Sequence, residues 1–389
     1  MDVTQKGILT LLKSASMGTA FALPDGFDLE AAYPMVKSHH MVTALYEGAV
    51  LCGISRKTPV MQQMFRSYCK ALLVSEGQLR ELSRVFAAFE ENGIDYMPIK
   101  GCKLKALYPR PELRLMGDAD VLIRLEQYEK IIPIMEALGF TAKIDSDHEF
   151  VWEKNSLYLE LHKRLIPSYN VDFYRYYGEG WRLAKCADGN RYSMSPEDEM
   201  VFLFTHFAKH YRDGGIGCRH VQDLWMYRRA NPELDEDYIR AELEKLRLLE
   251  FYENILQLIA VWFADAPEDP KSDFITEYIF ASGSWGKMKT HTVSMGVRDR
   301  RQTKGSKNSK LSYLNRVAFP KVDDLRNKYK VLKKAPWMLP LVWIYRSFYK
   351  ILWERNSLKQ HREKLSLLTP DELDNRQQAL NYVGLDYYF

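Results

Sequence analysis

Apolar residues recur at helical spacing through much of residues 1–92. The clearest run spans roughly 60–91, where Leu72, Leu79, Leu82, Val85, Phe86 and Phe89 mark one face of a long helix. Gly93 is its stop signal, since glycine takes the left-handed conformation beyond a last turn without steric cost. The period then shortens. Ile94-Asp95-Tyr96-Met97-Pro98-Ile99 reads as a short strand whose proline argues for a sheet edge or a strand end. Ala119-Asp120-Val121-Leu122-Ile123 reads as a second strand. Leu125, Tyr128, Ile131, Met135 and Leu138 return to helical spacing in a segment kinked or begun late at Pro133 and stopped by Gly139. Residues 149–152 and 156–162 follow as two more strands, with Lys154-Asn155 the hairpin turn candidate.

Strand, helix and hairpin within seventy residues make an α+β unit. Helices resume at Ser195-Pro196-Glu197-Asp198, which combines an N-cap residue, proline at the first helical position and acids in the first turn. The chain therefore divides into an N-terminal helical region (1–92), an α+β core (93–190), a helical domain (191–281), a basic loop (282–318) and a C-terminal helical region (319–389). It carries no internal repeat and no low-complexity tract.

Composition narrows the possibilities. With 389 residues, 46% of them hydrophobic, the chain can bury a sizeable core. A net charge of +4 excludes a dedicated polyanion-coating protein and argues against DNA or other long nucleic acids as partners. The five cysteines form no CxxC pair, so a disulfide framework or zinc ribbon is not expected. No secretory leader and no transmembrane segment is read, which predicts a cytoplasmic protein.

Asp118 and Asp120 are the first residues that suggest chemistry. Two positions apart on an extended strand, their carboxylates project to one side while Ala119 and Val121 face the core. Such a pair repels itself unless a cation lies between, and oxygen ligands at that spacing suit Mg²⁺ with substrate phosphates. About seven acid-x-acid pairs are expected by chance in a chain of this composition, so the pair alone does not make a site. In Leu157-Tyr158-Leu159-Glu160-Leu161-His162 the leucines alternate, which leaves Tyr158, Glu160 and His162 on the other face. Glu160 can thus complete a three-carboxylate cluster. Ile99-Lys100-Gly101-Cys102 ends the first strand, where a glycine turn lets backbone N–H groups approach phosphates and Lys100 adds charge.

The order of these motifs resembles the DNA polymerase beta-type nucleotidyltransferase superfamily, and more closely a bacterial group called the uncharacterised nucleotidyltransferase family. The residues that carry the resemblance are Lys100-Gly101, Arg114, Asp118-Ala119-Asp120 and Glu160-Leu161-His162. Thr205-His206-Phe207, Gln222-Asp223-Leu224, Phe319-Pro320 and the Pro336–Leu341 stretch also fit, so the likeness runs from about residue 70 to 350. It implies a small mixed-sheet core whose three carboxylates hold two Mg²⁺ (or Mn²⁺) ions. Asp118 and Asp120 would bind both metals and the triphosphate. Glu160 would bind the catalytic metal and help the acceptor hydroxyl lose its proton. The implied substrate is an NTP, and the acceptor is a small molecule, a protein or RNA. Nucleotide contacts are expected from Lys100, Gly101, Cys102, Lys103, Arg114, His162, His206, Lys209 and Asp223. Gly101-Cys102 departs from the usual Gly-Gly or Gly-Ser, which leaves Lys100, Lys103 or Arg114 to compensate. A fold kept for scaffolding or nucleotide binding without turnover, and a toxin-like enzyme that modifies tRNA ends, are the competing readings.

Three segments remain open. His206 and His210 lie four apart on one helix with Lys209 beside them, suited to a cleft lining or a structural role. The run Arg298, Arg300, Arg301, Lys304, Lys307, Lys310 reads as a solvated loop, with a phosphate lid or an RNA contact as alternatives. Residues 336–353 are apolar and aromatic with Arg346 and Lys350 among them. Packing against the catalytic unit is the reading adopted, and a membrane-surface segment the alternative.

Overall fold

The computed structural model describes residues 1–283, 286–302, 309–353 and 355–388. At its centre is a seven-stranded mixed sheet in the order β3-β4-β5-β2-β1-β7-β6. The strands are β1 (Tyr96–Pro98), β2 (Ala119–Ile123), β3 (Thr141–Asp145), β4 (Glu149–Lys154), β5 (Leu157–His162), β6 (Lys185–Asp188) and β7 (Arg191–Ser193). β1 lies between β2 and β7, so Pro98 marks a strand end and not a sheet edge. β2 runs parallel to β5 and antiparallel to β1.

The fold is α+β, with helical segments on both sides of this core. Alternation decides what each sheet face touches. Ala119, Val121, Ile123, Leu159 and Leu161 pack in one apolar cluster with Leu82, Val85 and Phe89 of the helix Pro59–Glu91 and with Ile131 and Met135 of the helix Tyr128–Ala137. Leu122, on the opposite face of β2, belongs to a larger cluster that runs from Ile8 to Tyr387. The N-terminal, middle and C-terminal helical segments therefore share one core. β2, read as half open, is covered on both faces and buried along its whole length.

Local signals act as their chemistry requires. Thr58 and Ser195 each cap a helix by accepting from a backbone N–H, with Pro59 and Pro196 at the first helical positions. Gly93 and Gly139 have φ of 64° and 82°, the left-handed conformation expected of helix stops. Pro133 lies inside the helix Tyr128–Ala137, which begins five residues before it. The hairpin turn falls on Asn155-Ser156, one residue later than expected, because Lys154 still pairs with Leu157; Asn155 takes φ 54°.

The expected basic loop is mostly helical: Met288–Gln302 and Ser309–Ala318 are helices, while Lys304 and Lys307 lie outside the described residues. Val293 and Val297 are buried one turn apart, and Gly296 lets Leu368 and Leu373 approach where a Cβ would collide with them. Basic residues crowd the sequence but do not interrupt that apolar face. Arg300 and Arg301 pair with Asp374 and Asp386 of the C-terminal segment.

Candidate active site

A cavity of about 710 Å³ opens between the sheet and the helices Pro196–Asp213 and Cys218–Ala230, within the range of small-molecule sites. Its floor is the face of β2 and β5 that carries the even-numbered residues. Asp120 and Glu160 are direct partners in the parallel β2–β5 ladder. Ligand atoms of Asp120, Glu160 and His162 lie within 4.8 Å of one another. Asp118, one residue ahead of β2, lines the same cavity and remains open to its water.

Asp120 is held by two neighbours at one oxygen. Lys100 Nζ donates to its Oδ1 at 2.7 Å, and His162 Nε2 stands 2.9 Å from the same atom. Burial alone would raise the Asp120 carboxyl, but Lys100 and His162 hold it well below the usual carboxylate range. Burial would likewise lower Lys100, and Asp120, with Glu160 and Asp118 behind it, keeps that ammonium above its ordinary value. Among the described residues Asp118 has no such partner. Withdrawal from bulk water, then the charges of Asp120 and Glu160, push its carboxyl up.

Lys100 also occupies an unusual backbone conformation, φ 46° and ψ −118°. For a residue with a Cβ this costs on the order of 1–3 kcal/mol, and such strain concentrates at functional sites. The positive φ thus belongs to Lys100 and not to the glycine beside it. Gly101 serves clearance instead: an added Cβ would stand 3.1 Å from an Arg114 guanidinium nitrogen. Arg114 runs through that gap to a bidentate pair with Asp223, Nε donating at 2.7 Å and a terminal nitrogen at 2.9 Å. Tyr108 donates to the same carboxylate at 2.8 Å.

A family model described as uncharacterised nucleotidyltransferase matches residues 25–264. The chain belongs to that family. No curated protein and no solved structure gives a significant match. The protein is therefore a nucleotidyltransferase, an enzyme of the transferase class. The matched span begins well before residue 70 and ends before Phe319-Pro320 and the Pro336–Leu341 stretch, which lie outside it.

Most of the residues expected at the nucleotidyltransferase site line the cavity: Lys100, Gly101, Arg114, Asp118, Asp120, Glu160, His162, His206, Lys209 and Asp223. Two do not. Cys102 packs against the apolar cluster beneath β2, and Lys103 turns away to pair with the buried Glu199. Both follow from the short helix Gly101–Leu104, whose turn carries Cys102 and Lys103 off the cavity face before Leu104 returns to it. Arg114 and Asp223 reach the cavity already committed to each other, and His206 and His210 face each other with Nε2 atoms 3.0 Å apart.

Several lining residues were not anticipated. Counting outward from the β4–β5 turn sets Glu149 opposite His162, and His148 Nε2 lies 3.0 Å from His162 Nδ1. His148, Glu149 and His162 form a second group able to hold a cation. Hairpin register was the signal for them. Arg219 stands one helical turn ahead of Asp223, so that spacing could have revealed it. Lys209 and Arg219 carry no ion pair among the described residues, and Arg219 Nε is buried without a hydrogen-bond partner. Burial lowers both, with Lys100 adding to the effect on Lys209 and Arg114 to that on Arg219. An anion entering the cavity would relieve them.

Proposed function

We propose that the protein is a divalent-metal-dependent nucleotidyltransferase of the DNA polymerase beta type, moving a nucleoside monophosphate from an NTP to an acceptor hydroxyl with release of pyrophosphate. One observation carries this reading: Asp120 and Glu160 face each other across the β2–β5 ladder in a cavity that Asp118 also lines. The donor set suits a hard divalent ion, since the carboxylate oxygens of Asp120 and Glu160 lie within 4.8 Å of each other and of a His162 nitrogen, with Asp118 lining the same cavity. Asp118, Asp120 and Glu160 would hold two Mg²⁺ or Mn²⁺ ions, whose charge would stabilise the attacking and leaving oxygens at the α-phosphorus.

The chain's own groups have distinct tasks in this account. Lys100 and His162 neutralise Asp120 and keep its carboxylate aimed into the cavity. Lys209 and Arg219, short of negative charge, bind the triphosphate. The Glu160 carboxylate accepts the proton of the acceptor hydroxyl. Arg114 is a positioning residue that fixes the cavity wall through Asp223. The acceptor is a small molecule, a protein side chain or RNA. Five free cysteines agree with a reducing, cytoplasmic setting. The tRNA-modifying reading gains no support, because Arg298 stacks over Tyr169 while Arg300 and Arg301 are paired within the fold.

Incubation with each α-labelled NTP, Mg²⁺ or Mn²⁺ and a cell extract tests the proposal. Label should enter one metabolite or macromolecule with the wild-type protein and not with D118N. Absence of transfer from every NTP would overturn it.

A further inference from the structure

The segment 319–353 departs from the rest of the chain in charge and in exposure. It holds eight basic residues against two acidic, a surplus of six where the whole chain has a surplus of four, so the remainder is net acidic. Its helix Leu339–Trp353 is apolar on two sides. The inner side builds a small core in which Val342 is buried with Leu325 and Leu332, and Leu339 and Trp343 pack against it. Trp343 Nε1 donates to the Pro320 carbonyl at 2.9 Å, and Arg346 to the Val317 carbonyl at 2.7 Å. Arg326 and Asn327 tie this unit to Asp145 on the edge strand β3. The expectation that the whole segment packs inward therefore fails for its outer side.

That outer side presents Leu341, Ile344, Tyr345 and Phe348 to water at spacings of three and four that place them in one row, and Trp337, in the turn Pro336–Met338 just ahead of the helix, is exposed as well. Trp337 is 76% exposed, Phe348 64% and Trp353, at the helix end, 70%. A soluble surface seldom gathers such large side chains without a partner. Lys328, Lys330, Lys333 and Lys334 lead into the row and are all exposed.

We propose that this face docks the protein on an anionic phospholipid bilayer, its aromatic row entering the headgroup region and its lysines meeting lipid phosphates. Charge selects this occupant. A second copy would bring two strongly basic segments together, and protein–protein interfaces are depleted in lysine. Aromatic rings flanked by lysines match the polarity profile of a bilayer surface. Among the described residues no helix is long and apolar enough to cross a membrane; the helix of 15 residues lies on the surface. Apolar insertion and a basic cluster supply the two signals that stable peripheral attachment needs.

Flotation of the full chain with phosphatidylcholine vesicles, with and without phosphatidylglycerol, tests this without any nucleotide. The wild type should float with the anionic vesicles and largely stay behind with phosphatidylcholine alone. The double variant W337S/F348S should bind anionic vesicles at least tenfold more weakly, with an unchanged thermal midpoint because both side chains are exposed. The variant K328Q/K330Q/K333Q/K334Q should lose at least tenfold and most of its salt sensitivity. No flotation of the wild type, or equal flotation of W337S/F348S, would overturn the proposal. So would a wild-type dimer in light scattering that W337S/F348S dissociates, since the face would then belong to a second copy.

Discussion

Two charged clusters share the cavity, built from the same kinds of side chain and satisfied to different degrees. Arg114 and Asp223 form a closed unit: both prongs of the guanidinium are used, Tyr108 takes up the carboxylate as well, and all three side chains are buried. Around Asp120 the account is open. Lys100 and His162 neutralise one carboxylate, while Asp118 and Glu149 are pushed up by withdrawal from bulk water and by neighbouring negative charge. Lys209 and Arg219, across the cavity, are short of negative charge. A saturated pair is architecture. Opposite charges held apart in one cavity are what a metal–triphosphate complex would join.

The largest difference should come from Asp120→Asn. Transfer should fall by about a thousandfold or more, because a ligand to the developing charge is lost. The melting temperature should fall too, since Lys100 loses its charged partner in a buried setting. Kinetics and thermal melts on one preparation check both. Asp223→Ala should cost about 3–5 kcal/mol of stability by leaving Arg114 buried and unpaired, read by urea unfolding. If Asp223→Ala leaves stability intact, the clamp is not architecture.

Asp118→Asn sharpens the contrast, because it should do no structural harm. The folded state raises the Asp118 carboxyl above its ordinary value of 3.8. The protonated form is thus favoured by folding, and that contribution is lost as pH rises from 3.8 through the folded value. At acid pH wild type and D118N should melt together; towards neutral pH the variant should gain, by about 1 kcal/mol or less. Mg²⁺ should narrow the gap by stabilising the wild type. A variant that melts lower at neutral pH would contradict the assignment. The smallest effect should come from Cys102→Ala, which faces away from the cavity and should change transfer by no more than about twofold.

The site was legible where burial produced alternation. The leucines of β5 and the Ala-Val-Ile face of β2 fixed the directions of Glu160 and Asp120, and the structure pairs these two residues. β3 and β6 escaped notice for the converse reason. Their residues are mostly exposed, so no apolar face marks them. His148 and Glu149 were obscured because their role depends on hairpin register, which a one-residue error in the turn shifts. The helix Met288–Gln302 was hidden by its arginines and lysines, although it buries Val293, Gly296 and Val297 together with Thr292, Ser294, Arg298 and Asp299. Charge at a position says little about whether it is a loop.

The most direct test of the central claim is anomalous diffraction from crystals grown with Mn²⁺ and a non-hydrolysable NTP. Manganese peaks should appear among the carboxylates of Asp118, Asp120 and Glu160, with the triphosphate reaching Lys209 and Arg219. Nucleotide bound with no manganese at those carboxylates, or manganese seated only on His148 and Glu149, would contradict it.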